Sequence, residues 1–177
     1  MPTTSAVAIL EKMNQHKIFH NGHYLSTNID QSLTEIRNGK YNEINCGDED
    51  AVDYRYETSD VFLHGSCQLF SLALHKRFGY DAYKITWDGK HIHYFCMIDF
   101  GKTKIYVDVR GMTTNFDEFV ATFYPGLLHI PYSIEPQDIT EDEDLSAEGD
   151  ITGYAFANEI IERYPNYYCL PRIYHNI

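Results

Sequence analysis

Residues 64–79 read HGSCQLFSLALHKRFG, and the fold turns on how this stretch is read. Ser66 can cap a helix that begins at Cys67, and Gly79 can end that helix in the left-handed conformation. Lys76 and Arg77 fall in the last turn, where the macrodipole favours cations. Between the ends, Leu69, Phe70, Leu72, Ala73 and Leu74 leave almost no polar face. A helix apolar on most sides is packed inside a domain rather than laid on it. The domain is therefore expected to be built around this helix, with a cysteine at its first turn. There the sulfur faces unpaired backbone N–H groups and the positive end of the dipole. Both favour thiolate, so the pKa of Cys67 is expected to fall.

Downstream of the helix come three strand-like runs. YDAYKITW (Tyr80 to Trp87) ends at the turn DGK, and HIHYFCMIDF (His91 to Phe100) follows. The turn GKTK then leads to IYVDVRG (Ile105 to Gly111). Short β-rich runs separated by glycine-containing turns predict an antiparallel meander. NFDEFVATFY (Asn115 to Tyr124) has helical spacing, with Phe116, Phe119, Val120 and Phe123 on one face. Residues 135–150, EPQDITEDEDLSAEGD, hold eight acids and no base, and read as a solvated acidic loop. GYAFANEIIERYP (Gly153 to Pro165) predicts a last amphipathic helix stopped by proline, with the aromatic tail packing back on the domain.

Upstream, residues 1–17 have helical spacing of Val7, Ile9, Leu10 and Met13. SLTEIRNGK (Ser32 to Lys40) carries a capping signature, with Ser32 three residues before Glu35. Residues 41–60 are polar, acidic and rich in turn formers. The expectation is one α+β domain over 1–177, with a buried central helix against a small antiparallel sheet and a catalytic core in 60–115.

The chain has 26 acidic residues against 14 Lys and Arg, a formal charge of −12. Such a field repels phosphates and anionic lipid surfaces, which argues against nucleic-acid and membrane partners. No apolar run approaches the roughly 20 residues of a membrane span. The start lacks the basic and apolar regions of a signal peptide, so the cytoplasm is the expected compartment. The four cysteines, Cys46, Cys67, Cys96 and Cys169, form no CxxC pair and are expected as thiols.

A thiolate alone cannot protonate a leaving group, so acyl chemistry needs a histidine and a group to orient it. The predicted hairpin supplies both. With Ile98 paired to Ile105, Phe95 lies opposite Asp108, and His93 is the diagonal neighbour of Asp108 on the same face. Such neighbours are roughly 7–8 Å apart at the backbone, within reach of converging side chains. Tyr106, Asp108 and Arg110 share that face of the next strand. A one-residue slip would separate the faces.

The order of helix-start Cys, strand His and Asp one strand later resembles the papain-like superfamily, in particular its transglutaminase-like branch. The residues that carry the resemblance are GSC (Gly65 to Cys67), HYF (His93 to Phe95) and YVDVRG (Tyr106 to Gly111), within a span of about 50 residues. The resemblance implies a catalytic Cys67 nucleophile, a His93 general base and acid, and an orienting Asp108. No cofactor and no metal are expected; the resemblance suits a protein or peptide substrate, and the acidic chain suits one that is basic in character.

His91 has the same parity as His93 and competes with it, and HIH has metal-ligand spacing, with Asp108 or Cys67 as a third ligand. His64 reads as a turn residue on the substrate side and His75 as a packed core histidine. The alternative function is an acidic interaction or inhibitor protein that binds a basic partner without chemistry. The oligomeric state is not written in the sequence.

Overall fold

The computed structural model of the protein describes residues 35–36, 39–41, 61–63, 65–123, 126–147 and 150–170. The expectations for residues 1–17, 42–60, His64, Cys46 and the tail beyond 170 lie outside the described residues. Residues 35–36 and 39–40 are helical, in keeping with the helix expected over Ser32 to Lys40.

The central helix, α1, spans Cys67–Phe78. Gly79 ends it at φ 72°, with its N–H donated to the His75 carbonyl at 2.8 Å. A side chain would be strained in that left-handed conformation, which is why glycine stops the helix there. Ser66 occupies the N-cap position, but its hydroxyl makes no capping bond. The apolar run is buried through Leu74. Fully burying a Leu or Phe side chain stabilises by roughly 1.5–3 kcal/mol, so this helix anchors the fold.

Strands β1 (Asp81–Trp87), β2 (Lys90–Asp99), β3 (Lys104–Asp108) and β4 (Gly111–Thr113) form an antiparallel sheet, with β5 (Ser133–Pro136) added at the other edge. The strand order is β4-β3-β2-β1-β5. The fold class is α+β with a small antiparallel sheet, as expected, although the sequence reading found only the three central strands. The β1–β2 turn places Asp88 at φ 49° and Gly89 at φ 71°. Two positive φ values in a two-residue loop make a type I′ turn, whose twist suits a hairpin. Ile98 pairs with Ile105, the register on which the His93–Asp108 juxtaposition depends.

The predicted alternation fails at two places. β2 carries a bulge: Ile85 pairs with His93 but Thr86 pairs with His91, so Ile92 has no partner on β1. β3 ends at Asp108, and Val109 and Arg110 form the turn that pairs Asp108 with Gly111. The run Ile105 to Gly111 is thus a strand and a turn rather than one strand.

Both faces of the sheet are covered. On one, Ala82, Cys96, Ile105 and Val107 pack with Phe70, Ala73 and Leu74 of α1 and with Phe156, Ala157, Ile160 and Ile161 of α4 (Asp150–Arg163). α1 and α4 approach closely at Gly153, where an added Cβ would come within 2.6 Å of Leu69 Cδ1. On the other face, Ile85, Phe95 and Met97 pack with Phe119 and Val120 of α2 (Phe116–Phe123). Asn115 caps α2, accepting the Glu118 N–H at 3.2 Å.

The acidic stretch 135–150 is more structured than a solvated loop. It begins as the end of β5, paired to β1 through Glu135 and Pro136, and continues into a helical turn, α3 (Ile139–Asp142), capped by Asp138. The last helix gives way to α5 (Pro165–Tyr168), with Pro165 at the start of the new turn. Among the described residues no helix is long and apolar enough to cross a membrane.

Candidate functional site

The site lies where β3 runs out. The β2–β3 pairing extends from Asp99↔Lys104 to Cys96↔Val107. Beyond it the backbone of Tyr94, Cys67 and Gln68 lies close enough to the Cys67 sulfur to favour its thiolate. The absence of a Ser66 cap leaves the first-turn backbone to the thiol. The start of α1 therefore fills the gap at the sheet edge, against the residue that follows His93.

His93 Nε2 and Asp108 Oδ2 are 3.0 Å apart, both fully enclosed, at 0% and 3% exposure. The ring is stacked obliquely on Phe119 of α2. The second ring nitrogen, Nδ1, is the base when Nε2–H is given to the carboxylate. The Leu63 carbonyl favours the charged ring.

Arg110, which the sequence reading put on the right face but gave no role, completes the buried group. Its Nη2 lies 2.6 Å and its Nε 3.1 Å from Asp108 Oδ2; Nε also lies 3.0 Å from Oδ1. Its backbone N–H reaches Oδ1 at 2.9 Å. Nη1 donates to the Phe119 carbonyl at 3.1 Å, and the guanidinium lies 4.8 Å over the Phe119 ring. The signal was present as Asp-x-Arg at a strand end. Seeing its use required knowing that the chain turns after Asp108 and folds Arg110 back over the carboxylate.

The electrostatics follow from burial and charge. For Asp108, burial alone would raise the carboxyl. The Arg110 charge, with hydrogen bonds from His93 and Arg110, more than reverses this and holds it well below the usual carboxylate range. For His93, burial outweighs the help from Asp108, and the imidazole pKa is lowered below its ordinary 6.5. For Cys67, burial wins over the three backbone groups, and the thiol is pushed up to about 11. The expected drop at the helix start is thus overturned, because desolvation of a thiolate costs more here than the first-turn N–H groups return. Cys96, buried against Ser71, is pushed further, to about 12. The resting site holds a neutral thiol and a neutral imidazole above an ionised Asp108–Arg110 pair.

The competing histidines are separated by position. The bulge at Ile92 breaks the parity of His91 and His93. His91 is exposed and bonds through Nδ1 to the Tyr94 hydroxyl at 2.6 Å, on the side of β2 opposite His93. The two imidazoles therefore do not share a face, and among the described residues no three His, Cys, Asp or Glu side chains could hold a metal ion. His75 is half-buried and bonds to the Tyr80 carbonyl at 2.7 Å. Cys67 and Cys96 are buried thiols outside any disulfide.

These shifts give stability a definite pH dependence. Unfolded His93 binds a proton near pH 6.5 while the folded form resists it, so stability falls as pH drops below about 6.5. Asp108 adds to the loss as pH falls through its unfolded value of 3.8. On the alkaline side, Cys67 ionises at 9.0 when unfolded but only at about 11 when folded, so stability falls again as pH rises above 9. Urea midpoints are expected to peak between these limits. The slope between pH 5 and 7 should disappear in His93→Gln; a slope that survives unchanged contradicts the assignment to His93.

Comparison of the chain with protein-family models, curated proteins and solved structures finds no match in any of the three.

Proposed function

We propose that the protein carries out cysteine-dependent acyl chemistry through Cys67, His93 and Asp108, of the kind found in the papain-like superfamily. The observation that carries this reading is the convergence at one sheet edge. The Cys67 thiol lies beside the backbone of the residue after His93, while His93 Nε2 is held by Asp108. In the proposed step, His93 Nδ1 takes the proton from Cys67 as the sulfur forms a bond to a carbonyl carbon. The N–H groups of Cys67 and Gln68 turn to the developing oxyanion. The C–N or C–O bond then breaks, and the leaving group receives the proton from His93. Water or an amine resolves the thioester by the reverse sequence. With water the enzyme is a peptidase, amidase or deamidase; with an amine it is a transferase. Keeping both partners neutral until a carbonyl is in place guards the thiol against oxidation.

A second reading has one observation in its favour. His93, Asp108 and Arg110 are at 0%, 3% and 2% exposure, while Cys67 retains 7%. Such a group could serve only to clamp α2 to the sheet. The acidic surface would then act by binding a basic partner.

Acyl capture separates the two. p-Nitrophenyl acetate is reactive enough to acylate a competent thiol without specific recognition. The expected result is one acetyl group on Cys67, located by mass spectrometry and removed by hydroxylamine, and absent in His93→Gln. An unmodified Cys67 alongside an acetylated Cys169, which is half-buried, sinks the acyl reading in favour of the clamp.

A further inference from the structure

Next to Cys67 the structure holds a buried amide with an unused acceptor. Gln137 is 6% exposed, and its Oε1 has no hydrogen-bond partner. Its Nε2 donates to the Gln68 carbonyl at 3.1 Å and to Asp142 Oδ2 at 2.7 Å, and its backbone N–H to the Ala82 carbonyl at 3.0 Å. The side chain is thus fixed between the first turn of α1, β1 and the acidic turn α3. Both Nε2 partners are acceptors, so the amide orientation is determined and Oε1 is the atom left open. Leaving a buried acceptor unmade is costly, so the position calls for a donor.

The surroundings favour a donor that is positively charged. Asp142, which accepts from the Gln137 amide, has Asp144 and Asp150 for neighbours, and among the described residues only Glu143 of the acidic stretch forms an ion pair, with Lys76. Asp150 is raised by burial and by the nearness of Asp142 and Asp144, the mark of carboxylates crowded without a counter-charge. Tyr94 links this cluster to the candidate nucleophile: its hydroxyl feels Asp142, Cys67 and Glu141 together. Among the described residues no three carboxylates converge as a metal ion would need. Spread acceptors suit a multi-donor cation instead.

We propose that Gln137 Oε1, Asp142 and the Tyr94 side chain form a subsite for an alkylammonium or guanidinium group beside Cys67. As a substrate subsite it rests on the acyl reading, and it selects a carbonyl flanked by a cationic side chain or offers a place to an amine acceptor.

The test is binding, made in Cys67→Ala so that chemistry cannot intervene. Acetyl-Gly-Lys-methylamide and its norleucine counterpart differ only in the cation. Charge-assisted hydrogen bonds contribute about 1.5–3 kcal/mol, so the lysine peptide is expected to bind at least about tenfold more tightly by calorimetry. Asp142→Asn keeps an oxygen for Gln137 Nε2 but removes the charge, and should bring the lysine peptide to the norleucine level. Equal affinity of the two peptides, or no effect of Asp142→Asn, overturns the subsite. Butylammonium binding as tightly as the lysine peptide assigns the site to free amines; much weaker binding assigns it to a peptide side chain. Cation-selective binding without acylation of Cys67 leaves the subsite standing and sinks the acyl reading. Acylation without selectivity does the reverse.

Discussion

Cys67→Ala is expected to abolish acyl turnover, by a factor on the order of 10⁴ or more, while the protein stays folded. The sulfur is the atom that would form the covalent bond, and nothing within the buried group can replace it. Cys96 is the other buried thiol, but it faces the α1 side of the sheet against Ser71, donating to the Ser71 carbonyl at 3.4 Å. The structural cost should be small. Removing one sulfur leaves a modest void and deprives the nearby backbone of a weak acceptor, about 1–2 kcal/mol together. Turnover of p-nitrophenyl acetate and urea unfolding, measured on one preparation, read the two effects apart. Turnover within a few-fold of wild type removes Cys67 from the chemistry. A large loss of both would mean that the cysteine serves packing.

Arg110→Met is expected to produce the largest loss of stability of any single substitution at the site, about 3–5 kcal/mol. The reason is the charge it leaves behind. Asp108, at 3% exposure, is neutralised by a guanidinium at 2.6 Å, and methionine fills the volume without supplying that charge or the donor to the Phe119 carbonyl. Asp108→Asn in the same chain removes the stranded carboxylate, so the double variant should be more stable than Arg110→Met alone. That sign of coupling is the mark of a buried ion pair. A second readout reaches the site itself. Arg110 lowers the His93 pKa by its charge, so its removal should move the acid limb of Cys67 acylation to higher pH. A loss of stability under about 1 kcal/mol would show that the carboxylate is not held as the geometry requires.

How much of this was written in the chain differs from element to element. α1 was legible because its apolar run, its terminal cations and Gly79 agree with one another. The hairpin register was legible because the turn residues Asp88–Gly89 and the GKTK turn leave few ways to pair the runs. With Ile98 opposite Ile105, the meeting of His93 and Asp108 follows. The bulge at Ile92 was not legible, since period-2 alternation carries no mark of a skipped residue. Nor was the joining of Ser133–Pro136 to β1, a pairing between segments far apart in sequence. The acidic composition of 135–150 hid a strand end and a capped turn, because the pairing of Glu135 with Lys84 is set by the partner strand, not by local propensity.

By itself the amino-acid order determined the central helix, the three central strands and the helix at 116–123, and that one thiol, one imidazole and one carboxylate belong to neighbouring elements. These are local matters of spacing, capping and turn chemistry. Tertiary structure alone decided the depth at which those groups sit, that Arg110 closes over Asp108, and that the thiol rises to about 11 instead of falling. Burial is a sum over every element packed around a group, and no local pattern contains that sum.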